Sequence, residues 1–98
     1  MITLKHHILV KYNDTVKDKE ILIPEIRSLF EKTLSIEGVH GVELKPNVID
    51  RPNRYDLMII IDMDKDALCS YDSSESHKLW KEKYGKMLSS KAIFDSED

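Results

Sequence analysis

Cysteine is almost missing: Cys69 stands alone among 98 residues. One thiol closes no internal disulfide, which suits a reducing compartment. Glycine and proline are scarce, three of each. The chain has no low-complexity run, glycine-rich phosphate loop, nucleophile elbow or dinucleotide fingerprint, so ATP-driven and NAD-dependent chemistry have no support. No apolar stretch approaches the ~20 residues that a membrane span needs. The opening Met1 to His7 lacks the basic-then-apolar layout of a secretory signal, so a cytoplasmic protein with no membrane partner is expected. Charge of one sign is lacking too. Fifteen Lys and Arg against eighteen Asp and Glu leave −3, which argues against nucleic acid as a partner.

What is present is a soluble, globular balance, 41% hydrophobic and 34% charged. At 98 residues, 1–98 forms a single domain. Such a chain buries only about 65% of its unfolded surface, so a monomer has little margin.

Thr3 to Tyr12 alternates, with Leu4, His6, Ile8, Val10 and Tyr12 on one face and Lys5, His7, Leu9 and Lys11 on the other. That is the pattern of a half-buried strand. Asn13-Asp14-Thr15 reads as a turn that can cap a helix. From about Val16, Leu22, Ile26, Leu29, Phe30 and Leu34 recur at helical steps. Pro24 either opens a helix running to Ser35 or kinks a longer one. The need to bury Val16 and Ile21 to Ile23 favours the longer, kinked helix. Gly38 stands where a left-handed cap is expected, and Val39 to Lys45 reads as a second strand with Val42 and Leu44 inward. Pro46 to Asn53 reads as a polar loop whose prolines stay out of the sheet.

Arg54 to Met63 predicts a third strand that is unusual on both faces. Tyr55, Leu57, Ile59, Ile61 and Met63 form one apolar face, and the other is apolar in its middle, at Met58 and Ile60. A sheet covered by helices on one side should be polar on the other. Met58, Ile60 and Leu9 therefore call for a second subunit. Asp64 can cap a short helix over Lys65 to Ser70. Ser73 or Ser74 can cap another, whose stripe is His77, Trp80, Tyr84, Met87 and Leu88. A last strand is expected at Lys91 to Phe94, with Ser96-Glu97-Asp98 frayed. The order β-α-β-β-α-β is that of an α+β, ferredoxin-like sandwich.

Five segments in register resemble one family. Lys5-His6 through Lys11-Tyr12 resembles the "KHxxxxKF" first strand of the stress-responsive A/B barrel domain. Ile36-Glu37-Gly38-Val39 resembles its "IPGV" helix end, with Glu37 where proline is usual. Arg54-Tyr55-Asp56-Leu57 resembles its "GYDL" strand start, and Ile93-Phe94-Asp95 its closing strand. Tyr71 to His77 resembles its "Y-x-x-H-P-x-H" turn, with Glu75-Ser76 in place of His-Pro. The resemblance implies a protomer whose sheet joins another's in a homodimeric α/β barrel. A small-molecule cavity would lie between sheet and helices. Cyclase-type members use pocket histidines and a tyrosine for acid–base chemistry. His6, Tyr71 and His77 match those positions, whereas Leu57 stands where such a pocket has another histidine.

Three candidate groups follow. His77 with Tyr71, assisted by His6, forms a cofactor-free acid–base set for a carbonyl or phenol substrate, aromatic or polyketide-like. The plainer reading makes each histidine a core-edge or helix-start residue satisfied by hydrogen bonds, and whether catalysis occurs stays open. Leu57, Ile59, Trp80 and Tyr84 are the expected ligand-pocket lining, although an aromatic stripe is more often core. His7, Leu9, Met58 and Ile60 are the expected dimer interface. His40 reads as a surface residue and Cys69 as a buried, inert thiol. No metal is expected, because neighbouring His6 and His7 point to opposite faces and no ligand motif is present. A non-enzymatic, stress-related dimer is the alternative. A haem-handling or monooxygenase relative, with His77 on iron, is a third.

Overall fold

The computed structural model describes residues 2–97. Strand β1 (Thr3–Tyr12) leads through a turn into helix α1 (Lys19–Glu31), which tightens into a 3-10 turn over Lys32–Ser35. Strands β2 (Val39–Pro46) and β3 (Leu57–Asp64) follow. A 3-10 turn over Lys65–Ala67 runs into the short helix α2 (Leu68–Asp72), then α3 (Glu75–Tyr84). After a further turn, β4 (Leu88–Glu97) closes the sheet, whose order is β2-β3-β1-β4, antiparallel throughout. This is the ferredoxin-like α+β sandwich that the element order predicts. Among the described residues, no helix is long and apolar enough to cross a membrane.

The core lies between sheet and helices. Leu57, Ile59, Ile61 and Met63 on β3 and Leu4, Ile8 and Val10 on β1 are buried there, each worth about 1.5–3 kcal/mol. Ile26, Leu29 and Phe30 from α1 and Trp80 and Tyr84 from α3 meet them. The Phe30 ring stands edge-on to Trp80 at 5.0 Å.

Several boundaries differ from the sequence reading. The first helix starts at Lys19, because Asp18 supplies the cap, accepting from the Glu20 N–H. Asn13 instead closes its own turn onto Thr15. The helix does run through Pro24, which has no N–H for the Glu20 carbonyl. Ile21 and Leu34 are exposed, while Thr33 takes the buried place and donates its hydroxyl to the Phe30 carbonyl. Strand β3 begins at Leu57, leaving Tyr55 outside it. Pro46 is the last residue of β2, tolerated because β2 is an edge strand. Asp64 makes no cap; its carboxylate accepts from His40 Nε2 at 2.8 Å. Cys69 is exposed rather than buried.

The largest correction is β4, which is ten residues long and pairs with nearly all of β1. Ser96 and Glu97 belong to it, and Asp98 lies outside the described residues. Its outline is faint in sequence because the helices leave it bare. Ile93 is 48% exposed and Phe94 61%, so backbone pairing rather than burial defines it.

Gly38 carries φ +91°, and a Cβ there would meet the Ala67 Cβ at 2.9 Å. Both the left-handed backbone and the contact require glycine. Gly38→Ala is expected to cost about 1–3 kcal/mol, read as a lower urea midpoint with an unchanged slope.

Candidate functional site

The alternation of β1 puts His6 on its helix side, at 6% exposure. Antiparallel pairing places Asp95 of β4 directly opposite, and His6 Nδ1 lies 2.5 Å from an Asp95 carboxylate oxygen. A carboxylate only accepts, so Nδ1 carries the hydrogen. The break between α2 and α3 then brings Tyr71 onto His6 and His77 onto Tyr71. Tyr71, near the end of α2, is edge-on to His6 at 5.4 Å and to His77 at 5.0 Å. Ser74 caps α3 by accepting from the His77 N–H, which fixes that residue in the first turn.

His77 donates its own Nδ1 hydrogen to the Asp72 carbonyl at 2.9 Å. Burial holds this imidazole below its ordinary pKa, with the Asp72 carbonyl bond opposing, so it is neutral at pH 7. Burial, helped by the Asp72 charge, pushes the Tyr71 phenol well above its usual range. Its hydroxyl is buried with no hydrogen-bond partner. Tyr71 thus presents a protonated phenol beside the neutral His77 imidazole. The cluster reaches solvent through half-buried His77 and through Asp95, whose side chain is 38% exposed.

The three sequence-chosen acid–base residues are therefore brought together, and Asp95 joins them. The signal for Asp95 was its place opposite His6, legible only once β4 extends to Glu97. The expected pocket lining is not assembled. Ile59 and Trp80 are fully buried in the solid core. Tyr84 turns its hydroxyl to Glu25 at 3.2 Å, beside a cleft of about 520 Å³ between α1 and α3. Leu57 lies under a cleft of about 630 Å³ that also takes in Tyr12, Asp56 and the start of α1. Tyr12 is six residues from His6, roughly 20 Å along the strand. Neither cleft is lined by His6, Tyr71 or His77.

The four interface candidates share the sheet's outer face. His7 pairs with Ile60 and Leu9 with Met58 across β1 and β3. The reading missed their continuation on β4, where Phe94 lies opposite His7 and Ala92 opposite Leu9. His7 donates to the Phe94 carbonyl at 3.0 Å, and the two rings stand 5.9 Å apart.

No family profile matches the chain. No curated protein matches it either. Solved structures do. A dimeric ferredoxin-like protein of unknown function from Thermobifida fusca superposes with TM-score 0.82 at 17% identity, over 99% of this chain and 92% of its own. Another dimeric ferredoxin-like protein, from Bacteroides fragilis, gives 0.72 at 21% identity, over 98% and 96%. The hydroxynitrile lyase of Passiflora edulis gives 0.76 at 9% identity, over 98% and 93%. At these identities the likeness is one of fold.

Half-buried His77 and exposed His40 make opposite demands on protonation. The His77 imidazole is expected to titrate below 6.5 and that of His40, hydrogen-bonded to Asp64, above it. His77 thus contributes a stability loss as pH falls from 6.5 through its folded value, because only the unfolded chain binds that proton readily. Proton NMR titration of the two rings checks this, and a His77 midpoint above 6.5 would contradict its burial.

Proposed function

We propose that this chain is a homodimeric, stress-responsive A/B barrel-type protein. Each protomer holds a cofactor-free acid–base site, formed by His6, Tyr71 and His77, for a small aromatic or polyketide-like compound. The observation that carries the site is the Tyr71 hydroxyl, buried without a hydrogen-bond partner on a ring that stands edge-on to both His6 and His77. A buried polar group left unpaired costs about 1–3 kcal/mol, and a ligand carbonyl or phenol would remove that cost. Tyr71 would donate to the ligand oxygen, His77 Nε2 would take or return its proton, and Asp95 would hold His6 in one tautomer. The Passiflora hydroxynitrile lyase supports an enzyme on this fold only by analogy.

The outer face supports the dimer. Leu9, Met58, Ile60, Ala92 and Phe94 make a continuous apolar patch over three strands, with Phe94 the most open. Patches of this kind mark interaction surfaces, and two of the neighbouring folds are dimeric. A second reading, a dimer without catalysis, is favoured by the packing of Ile59 and Trp80, which are buried in the core rather than lining a cleft.

Ile60→Lys is expected to turn a dimer into monomers in sedimentation velocity; an unaltered dimer would count against the outer-face interface. For the site, mandelonitrile, benzaldehyde and 2,4-dihydroxyacetophenone serve as hydroxyl, carbonyl and phenol probes. Binding of at least one, followed by NMR, should weaken tenfold or more in Tyr71→Phe and in His77→Ala. Equal binding in wild type and both variants sinks the acid–base reading.

A further inference from the structure

The inner face of β4 is where the helix layer runs out. Pairing with β1 sets Lys91 opposite Val10, Ile93 opposite Ile8 and Asp95 opposite His6, all on the helix side of the sheet. Val10 and Ile8 are sealed, yet Lys91, Ile93 and Asp95 are exposed. An isoleucine on the core side of a sheet is left open between an ammonium and the carboxylate that orients His6.

We propose that this strip is the substrate shelf of the histidine site and that Lys91 selects ligands carrying a carboxylate. The inference rests on the acid–base reading of His6, Tyr71 and His77. Spacing supports it. Lys91 lies two residues from Ile93 and four from Asp95, roughly 7 and 13 Å along a strand. A single-ring acid covers only part of this distance and the long Lys91 side chain reaches over the rest, which sets the carboxylate at Lys91, the apolar body over Ile93 and a ring oxygen toward Tyr71.

Charge supports it as well. Lys91 has no ion-pair partner among the described residues, unlike Lys19, Lys45, Lys65 and Lys83. Lys81 stands one helical turn beyond His77 on α3 and is also without an ion pair among those residues. Both ammoniums act on the His77 ring, with Asp72 opposing. The other acid nearby, Asp95, is bound to His6. In a chain of net charge −3, two unpaired ammoniums beside one imidazole mark a local preference for anions.

The test compares 2,4-dihydroxybenzoate with its neutral amide, 2,4-dihydroxybenzamide, in NMR titrations of the full chain at pH 7.5. The acid is expected to bind at least tenfold tighter than the amide and to shift His77, Tyr71 and Ile93 signals. Lys91→Gln, a surface change that leaves the core untouched, should bring the two ligands within about twofold while keeping the amide's affinity. Equal affinities for acid and amide in the wild type, or a preference that survives Lys91→Gln, overturn the role of Lys91 and leave the histidine site standing. If neither ligand perturbs His77 or Tyr71 at millimolar concentration, the site reading fails and the shelf with it.

Discussion

The controlling constraint is that a layer of helices on one side of a four-stranded sheet does not cover all of it. Along β1 and β3 the helix-side residues are sealed, and on β2 Val39 and Leu44 are too. On β4 that cover ends. The other side of the sheet has no helix over it, only the β2–β3 loop at the end near Leu9 and Met58, yet β3 carries Met58 and Ile60 there beside Leu9. The chain thus has two kinds of unfinished surface: an apolar outer face and a half-open inner strip on β4. Both arise from the same shortage of covering structure in a 98-residue chain.

That shortage explains what could be read in advance. Where burial imposes a period, the sequence displays it: the buried–open alternation of β1 and β3 appears residue by residue. The stripe of Ile26, Leu29 and Phe30 likewise announces α1. Where burial is absent the period disappears, and β4, held by backbone bonds to β1, shows only four of its ten residues as strand-like. The ends of α1 were misjudged for a different reason. Asp14 and Asp18 are equally good caps by type, and the choice depends on where the turn after β1 releases the chain.

The site was legible as a set of residues and not as an arrangement. His6 shows itself by sharing a strand face with Leu4 and Ile8, and His77 by opening the stripe that leads to Trp80. Asp95 could not be found from local pattern, because its contact with His6 spans 89 residues and depends on the β1–β4 register. The pocket lining failed for a related reason. Periodicity identifies Ile59, Trp80 and Tyr84 as inward-facing, but an inward residue fills a core as readily as it lines a cavity. Only the packing of Phe30 against Trp80 settles which of the two occurs.

The histidine cluster sits where solid core gives way to open strip, and its chemistry depends on that boundary. Deeper in the sheet, at Ile8 or Ile61, an imidazole would be cut off from any ligand. Farther out, at Glu97, water would satisfy every polar atom and nothing would shift. At the boundary, Tyr71 loses its water without gaining a partner, and His77 is desolvated enough to remain neutral while one edge stays reachable. The result is a protonated phenol, its hydroxyl unpartnered, beside a neutral imidazole. The fold provides it by stopping the helices one strand short of the sheet's edge.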